Sequence, residues 1–138
     1  DYNSMKALIL IFTMVMSGYF LDKHQWKDRV VIIFTTEIED EDFDKQVTML
    51  RNHYYDLQER DMVVYKLNTQ KQIGPDDSDL DRETIAAIQK IVARDGYSFL
   101  LIGKDGDVKF ESQEYVGPEE LFNLIDAMPI RKQEMLDR

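Results

Sequence analysis

One stretch of the chain, Arg29–Thr35, carries branched and aromatic residues in an unbroken run instead of in alternation with polar ones. A run of this length is typical of a strand that is buried on both faces of a sheet covered by helices. A strongly acidic loop follows at 37–44. The pattern therefore predicts a central strand with an acidic loop at its carboxyl end, where α/β domains usually place their chemistry.

From Phe43 onwards, apolar residues recur at the spacing of a helix. Their positions form a single stripe, which predicts one helix over 42–59. The stripe consists of Phe43, Val47, Leu50, Tyr54 and Leu57. Further predicted elements are a strand at Met62–Leu67, a helix at 81–94, strands at 98–103 and 108–113 joined by a turn at Asp105-Gly106, a helix over 118–128, and a short helix at 130–136.

The order of these elements is β-α-β-α-β-β-α. The first two strands need a helical crossover, so they are predicted to be parallel with a right-handed connection. The last two strands are predicted to form an antiparallel hairpin. By analogy of element order, the chain is predicted to have an α/β, thioredoxin-like fold, with a mixed four-stranded sheet and helices on both faces.

Composition narrows the possible functions of this fold. The 138 residues carry a formal net charge of −10 and include no cysteine. The acidic balance argues against nucleic acid as a partner, because cations that would bind phosphate are outnumbered. The lack of cysteine excludes disulfides, thiolate metal sites and cysteine nucleophiles.

The N-terminal segment has the pattern of a secretory signal peptide. Met5-Lys6 precedes ten apolar or small residues at 7–16, and Ser17-Gly18 supplies small residues for cleavage. This predicts a signal peptide that starts at Met5 within residues 1–20, a mature domain over 21–138, and a periplasmic or secreted location. The apolar run is too short to span a bilayer comfortably, so no integral membrane span is expected in the mature chain. An apolar helix docked on the core is the alternative interpretation.

Several short segments carry a family resemblance. They are Trp-Lys-Asp-Arg at 26–29, Glu-Arg-Asp-Met-Val-Val at 59–64, Leu-Ile-Gly-Lys-Asp-Gly-Asp-Val-Lys at 101–109, and the Asp-Ala-Met-Pro-x-Arg segment within 125–135. Together they resemble domain of unknown function 4174, over about residues 21–138. This family occurs in short exported bacterial proteins, in vertebrate sushi-repeat-containing proteins and in coiled-coil domain-containing protein 80. The resemblance implies a thioredoxin- or peroxiredoxin-like fold and an exported location, and it implies no reaction.

Thiol redox chemistry, which such a fold suggests, has no residue to perform it. A thioredoxin-like enzyme places its reactive thiol in the loop after the first strand, at a helix N-terminus. That loop begins Thr35-Thr36-Glu37 in this chain. The loop before the third strand, at 95–98, lacks the proline that these enzymes carry in the cis form. Disulfide exchange and cysteine peroxidase activity are therefore excluded.

Two sets of residues remain as candidates for binding. Thr35, Thr36 and Glu37 lie at the carboxyl end of the first strand, where a hidden site would be expected. The second set consists of charged residues in the family-like segments: Arg29, Arg60, Lys104, Asp126 and Arg131. These charges could be internal ion pairs that fix Met128-Pro129 against the sheet, or a patch that docks a partner.

The preferred hypothesis is a module without redox activity or cofactor that binds another protein or a cell-envelope component. The competing hypothesis is a cysteine-independent enzyme or a divalent-metal binder that uses the acidic loop after the first strand. A second acidic motif, Asp77-x-Asp79-x-Asp81, resembles the start of a calcium loop. It has Arg82 at the sixth position and Ile88 at the twelfth, where an EF-hand needs Gly and Glu.

Overall fold

A computed structural model of the protein describes residues 20–138. The predicted signal peptide lies outside these residues, except for Phe20. In chain order the elements are β1 (Arg29–Thr35), α1 (Glu41–Asn52), α2 (Tyr54–Glu59), β2 (Met62–Leu67), β3 (Gln72–Ile73), α3 (Arg82–Ile91), β4 (Tyr97–Ile102), β5 (Val108–Ser112), α4 (Pro118–Asp126) and α5 (Pro129–Asp137). No helix among these residues has the length and apolar character that a membrane span requires.

The strands form one mixed sheet with the order β3-β2-β1-β4-β5. β1 is parallel to β2 and antiparallel to β4, and all seven of its residues are buried. The central strand and the parallel first pair are thus as predicted. The sheet has five strands instead of four, because the two half-buried residues of β3 pair with the end of β2. So short a strand leaves no apolar pattern in the sequence.

Helices cover both faces of the sheet. On one face α1, α2 and α4 pack on Val31, Ile33 and Leu101. On the other face Ile88 of α3 and Val92, the residue just after α3, pack on the opposite side chains of the same strands, and Phe20 joins this layer. Successive side chains of a strand point to opposite faces of the sheet, so an all-apolar strand contributes to both layers.

The predicted helix over 42–59 is two helices. Asp40 caps α1 by accepting a hydrogen bond from the Phe43 N–H at 3.0 Å. The backbone leaves the helical range at His53, with φ −110° and ψ 31°, and α2 begins at the next residue. Leu57 continues the apolar stripe and is buried against the same core. The spacing of apolar residues therefore does not reveal the break at His53.

The predicted turn at Asp105-Gly106 is a three-residue loop, 104–106. The Gly103 N–H donates to the Asp107 carbonyl at 2.9 Å, and the Gly106 N–H donates to the Gly103 carbonyl at 3.0 Å. Gly106 has φ +88°, the left-handed conformation that such loops require at this position. The first residue of this loop, Lys104, lies near the start of β1, where its carbonyl accepts from the Trp26 N–H at 2.7 Å.

Candidate functional site

The predicted site residues separate into two groups at opposite ends of β1. Thr35, Thr36 and Glu37 lie at its carboxyl end, whereas Arg29 opens the strand. Seven residues of extended backbone put these ends about 20 Å apart. No single site can therefore include both groups.

Both threonine hydroxyls at the carboxyl end of β1 form hydrogen bonds inside the domain. The Thr35 hydroxyl donates to the Asp40 carboxylate at 2.6 Å and accepts from the Glu37 N–H at 3.1 Å. The Thr36 hydroxyl accepts from the Gly96 N–H at 2.7 Å. Both hydroxyls are thus used to shape the loop. The Glu37 side chain is exposed, and its neighbour Ile38 is 83% exposed.

The acidic loop does not assemble a metal site. Within residues 20–138 no three carboxylate or imidazole groups converge closely enough to hold a cation. Asp40 instead bonds to Thr35 and caps α1. The geometry gives the metal-binder hypothesis no support.

A cluster of charged side chains fills the opposite end of the sheet. We call it the charge cluster; it consists of Arg29, Glu59, Arg60, Asp61, Lys104, Asp126, Arg131, Glu134 and Arg138. Its first centre is Glu134 on α5, which accepts two hydrogen bonds from Arg29, at 3.2 and 3.3 Å. Lys104 also donates to Glu134, and it donates to Asp61 at 2.8 Å. These contacts join the start of β1, the end of β4 and the C-terminal helix.

The second centre of the charge cluster is Asp126, at the end of α4. Arg60 donates to both of its oxygens, at 3.0 and 2.9 Å, and Arg131 donates to one of them at 3.1 Å. Arg131 also donates to the Glu59 carbonyl at 3.2 Å. Arg60 and Arg131 therefore both bind Asp126, close to Met128-Pro129, where α4 ends and α5 begins.

The charge cluster is partly dehydrated. Arg29 and Arg131 are each 1% exposed, and Arg131 is the one residue of α5 that is buried. Burial raises the pKa of the Glu134 carboxyl. The hydrogen bonds from Lys104 and Arg29 lower this pKa by more than burial raises it, so the pKa lies below its usual value. The pKa of Asp126 is lowered in the same way by Arg60 and Arg131, against the effect of burial. These carboxylates are held in their charged form.

The structure thus brings together the five charged residues predicted from the sequence, and internal ion pairs occupy them. It does not bring them to Thr35, Thr36 or Glu37. A direct binding role for either group stays a prediction. Sequence reasoning missed Glu134, because a lone acid on a polar helix has no local pattern that indicates a partner 105 residues away.

A further feature, which we call the β2 groove, lies at the edge of the sheet beyond β2. Its volume is about 630 Å³. Helices α1 and α2 form one wall, the loop at 74–77 forms the other, and β2 residues Met62, Val63, Val64 and Lys66 form the floor. The groove exists because β3 pairs with β2 through Lys66 and Leu67 alone in the described structure. No residue pattern in the sequence predicts this groove.

The ion pairs of Arg131 predict a large cost for its removal. We expect Arg131→Met to lower the free energy of unfolding by about 3 kcal/mol, because it leaves Asp126 and Glu134 with fewer partners in a dehydrated site. Arg138→Met is the matched control, because the Arg138 side chain is 47% exposed, and it should cost less than about 1 kcal/mol. Urea denaturation at pH 7 measures both. Equal losses in the two variants would contradict the assignment.

The lowered carboxyl pKa values predict acid sensitivity. Because the pKa of Glu134 is lower in the folded than in the unfolded chain, its contribution is fully present above pH 4.5 and is lost as the pH falls through the folded value. We expect Glu134→Gln to cost about 1–2 kcal/mol at pH 7. The difference from the parent should shrink as the pH falls below 4.5 and through the lower folded pKa, measured by urea denaturation. A difference that is constant with pH would show that Glu134 acts only through its shape.

Two solved structures share the fold of this chain. Thioredoxin peroxidase I of Plasmodium yoelii is similar with a TM-score of 0.59 and 16% sequence identity, over 82% of this chain and 79% of that protein. The reduced 2-Cys peroxiredoxin of Plasmodium vivax gives a TM-score of 0.58 and 16% identity, over 82% of this chain and 72% of that protein. At this identity the likeness shows the fold alone, and it confirms the predicted thioredoxin-like class.

The family comparison agrees with the resemblance found in the short segments. The sequence model of a domain of unknown function, DUF4174, matches residues 20–134. This range contains all the strands and every member of the charge cluster except Arg138. The chain therefore belongs to the DUF4174 family.

Proposed function

We propose that this protein is a thioredoxin-like module without redox activity that binds a protein or cell-envelope partner through the β2 groove. The observation that carries the proposal is the outer edge of β2, which has no strand partner at residues 62–65 within the described part of the chain, beside a groove of about 630 Å³. An unpaired strand edge presents backbone donors and acceptors that another chain can satisfy. An edge of this kind beside a groove whose floor includes Met62, Val63 and Val64 favours binding of a polypeptide.

Exposed aromatic side chains at the rim of the groove support this proposal. Tyr54 lines the groove and is 55% exposed, while its neighbour Tyr55 is 83% exposed. The two rings meet edge to face with their centroids 5.6 Å apart. Tyrosine is enriched at protein interfaces because it offers a large, rigid contact area together with a polar group.

The absence of thiols separates this domain from peroxidases of the same fold. The Plasmodium vivax neighbour is described as a 2-Cys peroxiredoxin. This chain contains no cysteine. At the carboxyl end of β1 the Thr35 hydroxyl bonds to Asp40 within the loop, and the Thr36 hydroxyl accepts from the Gly96 N–H of the loop before β4. The fold is therefore proposed to serve as a rigid support for a binding surface.

The predicted site residues have separate places in this proposal. Arg29, Arg60, Lys104, Asp126 and Arg131 would hold α5 against the end of the sheet. The loop with Thr35, Thr36 and Glu37 is proposed as a second contact for the partner, because Ile38 projects into solvent beside Glu37. A single exposed apolar side chain carries less weight than the groove.

Photo-crosslinking in living cells of the host tests partner binding. We expect p-benzoylphenylalanine in place of Tyr54 to give discrete protein adducts on irradiation, because this side chain lines the β2 groove. The matched control is the same replacement of Val108, an exposed residue on the opposite edge strand, β5. Mass spectrometry identifies the adducts. Identical adducts at both positions, or none at Tyr54, would contradict the proposal.

We also propose that the domain acts outside the cytoplasm, on the basis of the signal-peptide pattern at 5–18. The intact mass of protein produced from Met5 should show, in the periplasmic or secreted fraction, a species that begins near residues 18–20. Leu10→Arg interrupts the apolar run and should leave an uncleaved species in the cytosol. An uncleaved parent protein in the cytosol would overturn the proposed location.

A further inference from the structure

We propose that the β2 groove accepts an extended, carboxylate-bearing peptide segment, which joins the sheet as a new strand beside β2. This inference rests on the proposed function and names the partner's chemistry. It predicts that the partner is recognised mainly through its backbone, with acidic side chains as a secondary requirement.

The strand register defines how much of the edge is free. β2 pairs with β1 along its whole length, from Met62 to Leu67. β3 covers the other side of β2 at Lys66 and Leu67. Residues 62–65 therefore have no strand partner on their outer side within the described structure. Four residues offer about 13 Å of edge, and every second residue of an edge strand directs its N–H and C=O outward.

The side chains along this edge do not protect it. Exposed edges are commonly blocked by lysine, proline or a bulge. The free part of this edge, residues 62–65, carries Val63 and Val64, and Lys66 follows it where β3 begins to pair. Both valines are half-buried, and they pack against opposite core layers, Val64 with the α1 side and Val63 with the α3 side. An added strand would therefore meet an apolar contact on each face of the sheet. This alternation suits a polypeptide in the extended conformation.

The charges of the groove favour an acidic occupant. Arg51 lines it and forms no ion pair within the described residues, and Lys66 lies 3.6 Å from Asp77, whose side chain is 84% exposed. An ion pair this exposed contributes little and is easily exchanged for another carboxylate. The groove thus offers two cations, Arg51 and Lys66, against one carboxylate, Asp77, on a chain of net charge −10. A second copy of the same chain would bring that net charge with it and is disfavoured by repulsion.

Synthetic peptides provide the probe. The first is a capped heptapeptide that alternates Glu and Val, the second replaces Glu by Lys, and two more carry N-methyl groups on every Val or on every Glu. Binding is followed by NMR of the intact protein. We expect the acidic peptide to shift the amide signals of residues 62–65 and to slow the solvent exchange of the alternate amides that face away from β1. The Lys peptide, and at least one N-methylated peptide, should bind at least roughly tenfold more weakly than the acidic peptide. This corresponds to a loss of about 1.4 kcal/mol in binding free energy.

Charge reversal in the groove tests the acidic preference. Arg51→Glu with Lys66→Glu should weaken the acidic peptide about tenfold and strengthen the Lys peptide. Lys90→Glu with Lys132→Glu is the matched control, because both residues are exposed, lie outside the groove and give the same change in net charge. We expect this control to bind the acidic peptide like the parent.

Other outcomes overturn the inference in distinguishable ways. Equal binding of both N-methylated peptides would show docking without strand addition, and equal binding of the Lys peptide would remove the acidic preference. Self-association through residues 62–65, seen as concentration-dependent sedimentation, would assign the edge to a second copy. No binding of any peptide overturns the inference, while specific adducts at Tyr54 would still uphold the proposed function.

Discussion

The complete burial of β1 is the constraint on which the rest of the structure depends. A strand with apolar layers on both faces must pair its backbone on both sides, which fixes β2 and β4 as its neighbours. Its first residue, Arg29, is drawn into the same dry environment. A buried guanidinium is tolerated only when it is paired, and Glu134 of α5 supplies the carboxylate. The position of the C-terminal helix thus follows from the burial of the central strand.

The charge cluster explains how a polar helix is held on the domain. Arg131 is the buried residue of α5, whereas Ile130, Met135 and Leu136 are exposed. The helix is therefore attached through ion pairs more than through an apolar stripe. At the other end of β1 the Thr35 hydroxyl bonds within the following loop, and the Thr36 hydroxyl joins that loop to Gly96, just before β4. Both ends of the central strand are thus stabilised from within, and the open surface lies at the side of the sheet.

Local patterns predicted the parts of the fold that depend on local sequence. The run of apolar residues gave β1 and β2, and helical periodicity gave α3, although that helix ends at Ile91 instead of residue 94. The break at His53 was missed because the apolar stripe continues across it. Glu134 was missed because its partners come from distant segments. The β2 groove depends on how far β3 runs along β2, and no residue pattern records where a neighbouring strand stops.

The central claim is that the outer edge of β2 is open in the free protein. Amide hydrogen exchange of the unliganded domain, followed residue by residue by NMR, tests it most directly. The account predicts that alternate amides within residues 62–65 exchange orders of magnitude faster than those of Val31, Ile32 and Ile33, because they face solvent instead of a strand. Equally slow exchange at all four positions would show that the edge is already covered and would contradict the account.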